Sequence, residues 1–272
     1  MEEIIPGSII VTGASGSMGK AAVKALAAKG RSVIMACRNL EKGQAARQEV
    51  LTQVPGAALQ VLPLDLGSQR SVRTFAAAVA DSAPAGLLNN AGTMPNHYFL
   101  TEDGLEQTVA VNYVGPYLLT RLLLDSMAPD ASIVNVISLT CKYARIDENL
   151  LQKGPEEFHQ LRTYATSKLA LMLFSIELAE RTPLRVNMSD PGVVASNMID
   201  LGRWFDPLAD ALFKPLCKRP EQGVAPAINA LQSPETMKIF KGNRCLEVSE
   251  RFLEHPLSGL LWQKTAEITG LK

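Results

Sequence analysis

Tyr164 and Lys168 stand four residues apart in Tyr164-Ala165-Thr166-Ser167-Lys168, a spacing that makes a phenol and an ammonium neighbours on one helix face. A free phenol holds its proton until about pH 10, and a cation close by favours the phenolate. Such a phenol can hand a proton to a carbonyl oxygen as hydride reaches the carbon, or remove one in the reverse direction. The pair alone is a weak signal, because surface helices supply it by chance. Other polar groups fall where a ligand would meet them. Ser138 ends the run Ser132–Ile137, Asn89-Asn90-Ala91-Gly92 ends another, and Pro191-Gly192 follows the strand after Tyr164. In a parallel sheet, ligands gather at those carboxyl ends.

A second group suits a dinucleotide. Ser8–Val11 leads into Gly13-Ala14-Ser15-Gly16-Ser17-Met18-Gly19, and Lys20–Lys29 follows at helical spacing. A glycine-rich turn there lets backbone approach a pyrophosphate, and the helix start offers free N–H groups and a positive dipole end. Cofactor choice is written about 20 residues further on, at the end of the second strand. A carboxylate there would bond a ribose 2′-hydroxyl and repel a 2′-phosphate. This chain has Ala36-Cys37-Arg38-Asn39, with no acid between Gly30 and Leu40. Arg38 offers an always-charged planar fork suited to phosphate, with Lys42 one helical turn beyond; the alternative is an arginine merely solvated at a strand end. NADP(H) is expected over NAD(H).

These groups need a scaffold that brings distant segments to one edge. Short β-rich runs alternate with longer stretches at helical spacing, which predicts a parallel sheet with helices on both faces. Strands are predicted at Ser8–Val11, Ser32–Cys37, Leu59–Leu64, Gly86–Asn89, Ser132–Ile137 and Leu184–Met188. Helices are predicted at Lys20–Lys29, Leu40–Val54, Ser68–Ala80, Glu102–Met127 and Leu161–Glu180, with Ser68 as an N-cap. Cys141–Gln160 reads as irregular. Gly192–Pro220 carries Trp204, Phe205, Leu208, Leu212, Phe213 and Leu216 among prolines. That stretch is expected either to cover substrate as a lid or to pack as a surface helix pair. No repeat or linker divides the chain. Residues 1–272 read as one α/β domain, a Rossmann-type doubly wound parallel sheet of about seven strands.

Composition excludes other classes. Across 272 residues, 27 Lys+Arg balance 27 Asp+Glu, whereas a nucleic-acid binder should show a basic excess or block. The 4 cysteines and 3 histidines are scattered, without the paired spacing of a metal site. The acidic start lacks the pattern of a signal peptide, and no stretch approaches the ~18 apolar residues of a membrane span. A cytoplasmic protein with reduced thiols is expected, with no metal, nucleic-acid or membrane partner.

TGASGSMG, NNAG, the VN of Val111-Asn112, a strand-end serine, YATSK and PGVVAS occur in one order. In this the sequence resembles the short-chain dehydrogenase/reductase family over about residues 8–250. Within it the chain is most similar to the retinol-dehydrogenase-like and protochlorophyllide-reductase-like branch, through MACRNLEKG, LPLDLGSQRSVRTF, VNYVGPYLLTRLLL and the long spacing from Ser138 to Tyr164. The resemblance implies hydride transfer between NADP(H) and a carbonyl/alcohol pair. It makes Tyr164 the general acid/base. Lys168 would lower the Tyr164 pKa and hold the nicotinamide ribose hydroxyls, and Ser138 would bond the substrate oxygen. Asn112 would bend its helix and hold a water behind Lys168.

The cofactor contacts expected on the same ground include Tyr164 and Lys168 and begin with Gly13, Ser15, Gly16, Ser17, Met18 and Gly19, then Arg38 and Asn39. Asp65 and Leu66 would flank the adenine, and Asn90, Ala91 and Gly92 the ribose and sheet edge. Pro191, Gly192, Val194 and Ser196 would lie against the carboxamide and pyrophosphate. By local pattern alone, Asp65 also reads as a residue preceding a helix, and Asn89 and Asn90 as turn formers.

The chain departs from the family at several places. Ser17 stands where the common short-form pattern has its second glycine, and Asp190 and Pro116 stand where the branch often has histidine. No apolar N-terminal anchor like that of microsomal retinol dehydrogenases is expected. A moderately apolar substrate is expected. A homodimer through Glu102–Met127 and Leu161–Glu180 stands beside a monomer as an option. The contrasting class is a catalytically silent dinucleotide-binding or scaffold protein on the same fold. The complete set Asn112, Ser138, Tyr164 and Lys168 disfavours it.

Overall fold

The computed structural model describes residues 4–194 and 217–271. Its strands are β1 (Ile9–Thr12), β2 (Val33–Cys37), β3 (Leu59–Pro63), β4 (Gly86–Asn89), β5 (Ser132–Val136), β6 (Arg185–Asp190), β7 (Lys238–Lys241) and β8 (Arg244–Glu247). They form one sheet in the order β3-β2-β1-β4-β5-β6-β7-β8. Neighbours from β3 through to β7 pair in parallel, and β8 returns antiparallel on β7. The sheet therefore has one strand more than expected, a hairpin partner at the edge. Strand order reverses between β1 and β4, which opens a crevice beyond their carboxyl ends.

The helices are α1 (Ser17–Ala27), α2 (Leu40–Gln53), α3 (Gln69–Val79), α4 (Gln107–Val109), α5 (Gly115–Leu123), α6 (Gln160–Arg181), α7 (Pro220–Gln232), α8 (Glu250–Leu253) and α9 (Ser258–Ile268). Alternate side chains of β1 feed two cores, as the two-residue period of a strand requires. Ile9 and Val11 pack with Val23 and Leu26 of α1 and Val224 of α7. Ile10 packs on the other face with Phe75 of α3 and Leu118 of α5. Covering both faces explains why the central strands are unbroken apolar runs.

One helix starts later than expected and opens along its length, both for physical reasons. The helix expected at Glu102–Met127 starts at Gln107, because the buried Glu106 caps it: Oε2 accepts the Val109 N–H at 2.9 Å and Oε1 the Thr108 hydroxyl at 2.8 Å. It then widens into a π-helical turn over Ala110–Val114 before α5. Pro116 has no N–H with which to bond the Asn112 carbonyl four residues earlier, so the helix opens there. Ser68 caps α3 as expected, its Oγ accepting the Ser71 N–H at 3.2 Å.

Asn89 is a tie across the sheet rather than a turn former. Its Nδ2 donates to Asn135 Oδ1 at 2.8 Å and to Thr120 Oγ1 at 3.0 Å, joining β4 to β5 and α5. The end of the chain closes the second layer. Tyr117 donates to the Trp262 carbonyl at 3.2 Å. The Trp262 ring stacks on Phe174, with the guanidinium carbons of Arg121 and Arg181 4.5 and 4.7 Å from its centre. Part of the α5 and α6 face offered by the sequence to a second copy thus carries the chain's own α9. Among the described residues no helix is long and apolar enough to cross a membrane.

Candidate active site

A cleft of about 850 Å³ runs along the carboxyl edge of the sheet, from the glycine turn to Tyr164 and Pro191. Its shape begins with two glycines. Gly13 has φ +64°, and a Cβ there would sit 3.0 Å from the Ala91 Cα. At Gly19 a Cβ would fall 2.2 Å from the Gly13 carbonyl oxygen, a clash that no rotamer relieves. At Gly16 the same test gives 3.4 Å, an ordinary contact. The tight approaches therefore lie at Gly13 and Gly19, and the exposed Ser17 is tolerated as the first residue of α1. Gly16 caps α1 without a side-chain bond, and its first turn holds no acid. The helix start is left open to an anion.

Thr12, which sequence reasoning missed, pins the floor of the cleft. Its Oγ1 accepts the N–H groups of Asn90 and Ala91, each at 3.0 Å, and its carbonyl accepts the Asn90 amide at 2.9 Å. Its only sequence signal is its place at the end of β1. Gly92, Thr93 and Met94 continue the wall.

At the other end, Arg38 is exposed beyond β2 and makes no hydrogen bond or ion pair among the described residues. Asn39 lines the cleft but also caps α2, Oδ1 accepting the Lys42 N–H at 2.8 Å. Asp65 precedes α3 with its Oδ1 accepting the Gly67 N–H at 2.9 Å, and it lines the cleft beside Leu66.

Tyr164 lies in the first turns of α6, where its phenol comes under the influence of the Ser138 hydroxyl. Burial is the main force on this phenol. It pushes the pKa up to about 12, the charges of Cys141 and Asp190 add to the rise, and the Ser138 hydroxyl opposes it. The expectation that Lys168 lowers this pKa is not met. The ammonium is turned to the Val136 carbonyl, which accepts from Nζ at 2.8 Å. Lys168 itself is only 2% exposed, and burial draws its pKa down to about 8. Two of its three N–H groups are left for a ligand.

Asn112 does not wall the cleft. Its Oδ1 accepts the Thr93 N–H at 2.8 Å, while Nδ2 donates to the Thr93 carbonyl at 2.9 Å and to Ser167 Oγ at 3.0 Å. Ser167 in turn donates to the Tyr164 carbonyl at 2.7 Å. The π-helical residue thus ties the wall of the cleft to the turn of α6 that carries the phenol. Pro191 lines the cleft, Gly192 follows it with φ +74°, and Val194 pairs with Lys218. Ser196 and most of the lid stretch 192–220 lie outside the described residues.

Lys168 should cost the cofactor-free protein stability. An unfolded lysine keeps its proton to about pH 10.5, the folded Lys168 only to about 8. Between those values unfolding takes up a proton, so this residue's penalty is full below pH 8 and fades as pH rises towards 10.5. Lys168→Met should raise stability on the order of 2 kcal/mol at neutral pH, with the gain shrinking on the alkaline side. Denaturant unfolding of both proteins across that range checks it; a gain that does not change with pH sinks the argument.

A family model described as short chain dehydrogenase matches residues 8–203. The chain is 32% identical to human retinol dehydrogenase 13, over 98% of its own length and 86% of that protein's. It is 33% identical to human retinol dehydrogenase 11, over 98% and 87% respectively. An uncharacterised protein from Mycobacterium paratuberculosis superposes with a TM-score of 0.77 at 28% identity, covering 98% of this chain and 95% of that one. A short-chain dehydrogenase from Sphingobium yanoikuyae, solved in complex with NADPH, shares the fold at 19% identity with a TM-score of 0.68, over 94% and 95%. With the switch-point cleft and the tyrosine–lysine helix at its edge, the chain belongs to the short-chain dehydrogenases, in the retinol-dehydrogenase-like branch, and is an oxidoreductase of CH–OH or carbonyl groups.

Proposed function

We propose that the protein reduces an apolar aldehyde or ketone with NADPH, Tyr164 giving the proton. One observation carries this reading: a phenol held in its protonated form stands at one end of a cleft whose other end presents Arg38, which has no partner among the described residues. The residues fit a nicotinamide dinucleotide. The open start of α1 and the glycine approach take the pyrophosphate, Arg38 and Lys42 the 2′-phosphate, and the spare N–H groups of Lys168 the ribose hydroxyls. When bound, the nicotinamide supplies the hydride. Ser138 and Tyr164 present two O–H groups to the substrate oxygen, Ser138 steadying the negative charge and Tyr164 ending it by protonation. A phenol with a pKa pushed up to about 12 is present almost wholly in its protonated form near neutral pH, and the phenolate that oxidation needs is scarce there. That supports reduction over oxidation near neutral pH.

Apolarity of the substrate is supported by the exposed Tyr143, Leu161 and Val193, which flank in sequence the segments carrying Ser138, Tyr164 and Pro191. The relatives are named for retinol, so retinal heads the test. Loss of NADPH absorbance is followed with retinal, shorter aldehydes, ketones and quinones. Turnover with an apolar carbonyl supports the reading. NADPH binding with no turnover across the panel would transfer it to the silent binding protein.

A further inference from the structure

Beside the cleft lies a cluster of charged groups that, apart from the push of Asp190 on the Tyr164 phenol, has no part in the reaction as drawn above. Strand β6 ends at Asp190, whose side chain is 6% exposed. Its Oδ2 pairs with Lys241 Nζ at 2.9 Å, from the neighbouring strand β7, and its Oδ1 accepts the Gly192 N–H at 2.9 Å. A buried carboxylate is tolerated only when paired and bonded in this way. From the far side of residues 195–216 comes Lys218. Its Nζ donates to the Pro191 carbonyl at 3.1 Å, and its N–H donates to the Val193 carbonyl at 2.9 Å. Gly192 bends the chain between them with φ +74°, and a Cβ there would come 3.2 Å from Lys218 Nζ.

Three successive residues after β6 are therefore held by their backbone: Pro191 and Val193 by Lys218, Gly192 by Asp190. A turn that follows a strand and faces an open cleft would otherwise bond water and fluctuate. Pro191 is the part of this turn that lines the cleft, at the end occupied by Tyr164 and Lys168.

We propose that Lys218 is a positioning residue for hydride transfer, its ammonium fixing the Pro191–Gly192 turn against which the nicotinamide end of the cofactor is set. The inference rests on the function proposed above. Lys218 touches neither substrate nor reacting atoms; it acts through the turn. Removing the ammonium should loosen the turn and blur hydride geometry, while the phosphate contacts at the opposite end keep the cofactor bound.

Lys218→Met keeps the side-chain stem and removes the charge; Lys218→Arg restores a donor. In the cofactor-free protein, amide exchange at Gly192–Val194 should quicken about tenfold in Lys218→Met and return most of the way in Lys218→Arg. With NADPH and the best carbonyl, kcat should fall about tenfold, the NADPH Kd should stay within about threefold, and the isotope effect from NADPH deuterated at the transferred position should rise. Unchanged exchange overturns the proposal. So does a loss of kcat matched by an equal loss of affinity, or unchanged kcat and isotope effect. The exchange arm needs no cofactor. If the wild-type chain binds no NADPH, the proposed function falls, while exchange still decides whether Lys218 sets the turn.

Discussion

Tyr164→Phe is expected to lower kcat for carbonyl reduction by about 10³-fold, at the upper part of what a positioned proton donor contributes, with NADPH affinity unchanged. The substitution keeps the ring and so most of its packing, and removes one O–H. The Ser138 hydroxyl remains, so an oxygen accepting negative charge would still find one donor, but no group there could end the charge by protonation. Direction of pH dependence follows from the same phenol. With its pKa near 12, Tyr164 stays protonated across neutral and mildly alkaline pH, so this residue gives the reduction no falling limb there. Alcohol oxidation needs the phenolate, and its rate should climb as pH rises. Steady-state reduction and oxidation between neutral and alkaline pH, with NADPH affinity followed by fluorescence, test both statements. Turnover unaffected by the change would remove Tyr164 from the mechanism.

Much of the cleft was legible because its motifs are local. Gly13 and Gly19 mark a backbone approach that only glycine permits, and strand-end Ser138 and Asn90 sit where a two-residue period stops. What escaped the sequence depends on distance along the chain. Thr12 works by accepting two N–H groups from residues 78 and 79 positions away. Lys168 finds the Val136 carbonyl 32 positions earlier, so four-residue spacing to Tyr164 could not say which way its ammonium turns. The same holds for the phenol's pKa, which is set by burial and by Cys141 and Asp190 on other elements.

The strands and helix that follow residue 217 were not legible as elements for a different reason. Strands β7 and β8 have four residues each and bury little, so neither shows an apolar run. In α7, Pro220 at the start and Pro226 inside interrupt a pattern that would otherwise read as a helix. Lys218, Lys241 and their hold on the turn after β6 went unread with them. A resemblance to a family carries motifs; it does not carry the contacts between them.

Arg38→Gln should weaken NADPH by about 10–100-fold while changing NADH by less than about twofold, since hydrogen bonds to a charged group are worth ~1.5–3 kcal/mol. The absence of partners for Arg38 among the described residues makes this a clean substitution: nothing in the fold is released, so stability should not move. Lys42 remains near the cleft and should leave part of the phosphate affinity in place. Discrimination would otherwise have to come from Asn39, but its Oδ1 is engaged in capping α2. Arg38→Asp should go further. A carboxylate at the end of β2 can bond a ribose 2′-hydroxyl and repels a 2′-phosphate, so the preference should invert to NADH. Raised salt should erode wild-type affinity for NADPH more than that of Arg38→Gln, because the lost contact is between charges. Titration of both nucleotides against the three proteins decides it. Equal losses for NADPH and NADH in Arg38→Gln would mean that the arginine serves the shared adenosine, and that the 2′-phosphate is read elsewhere.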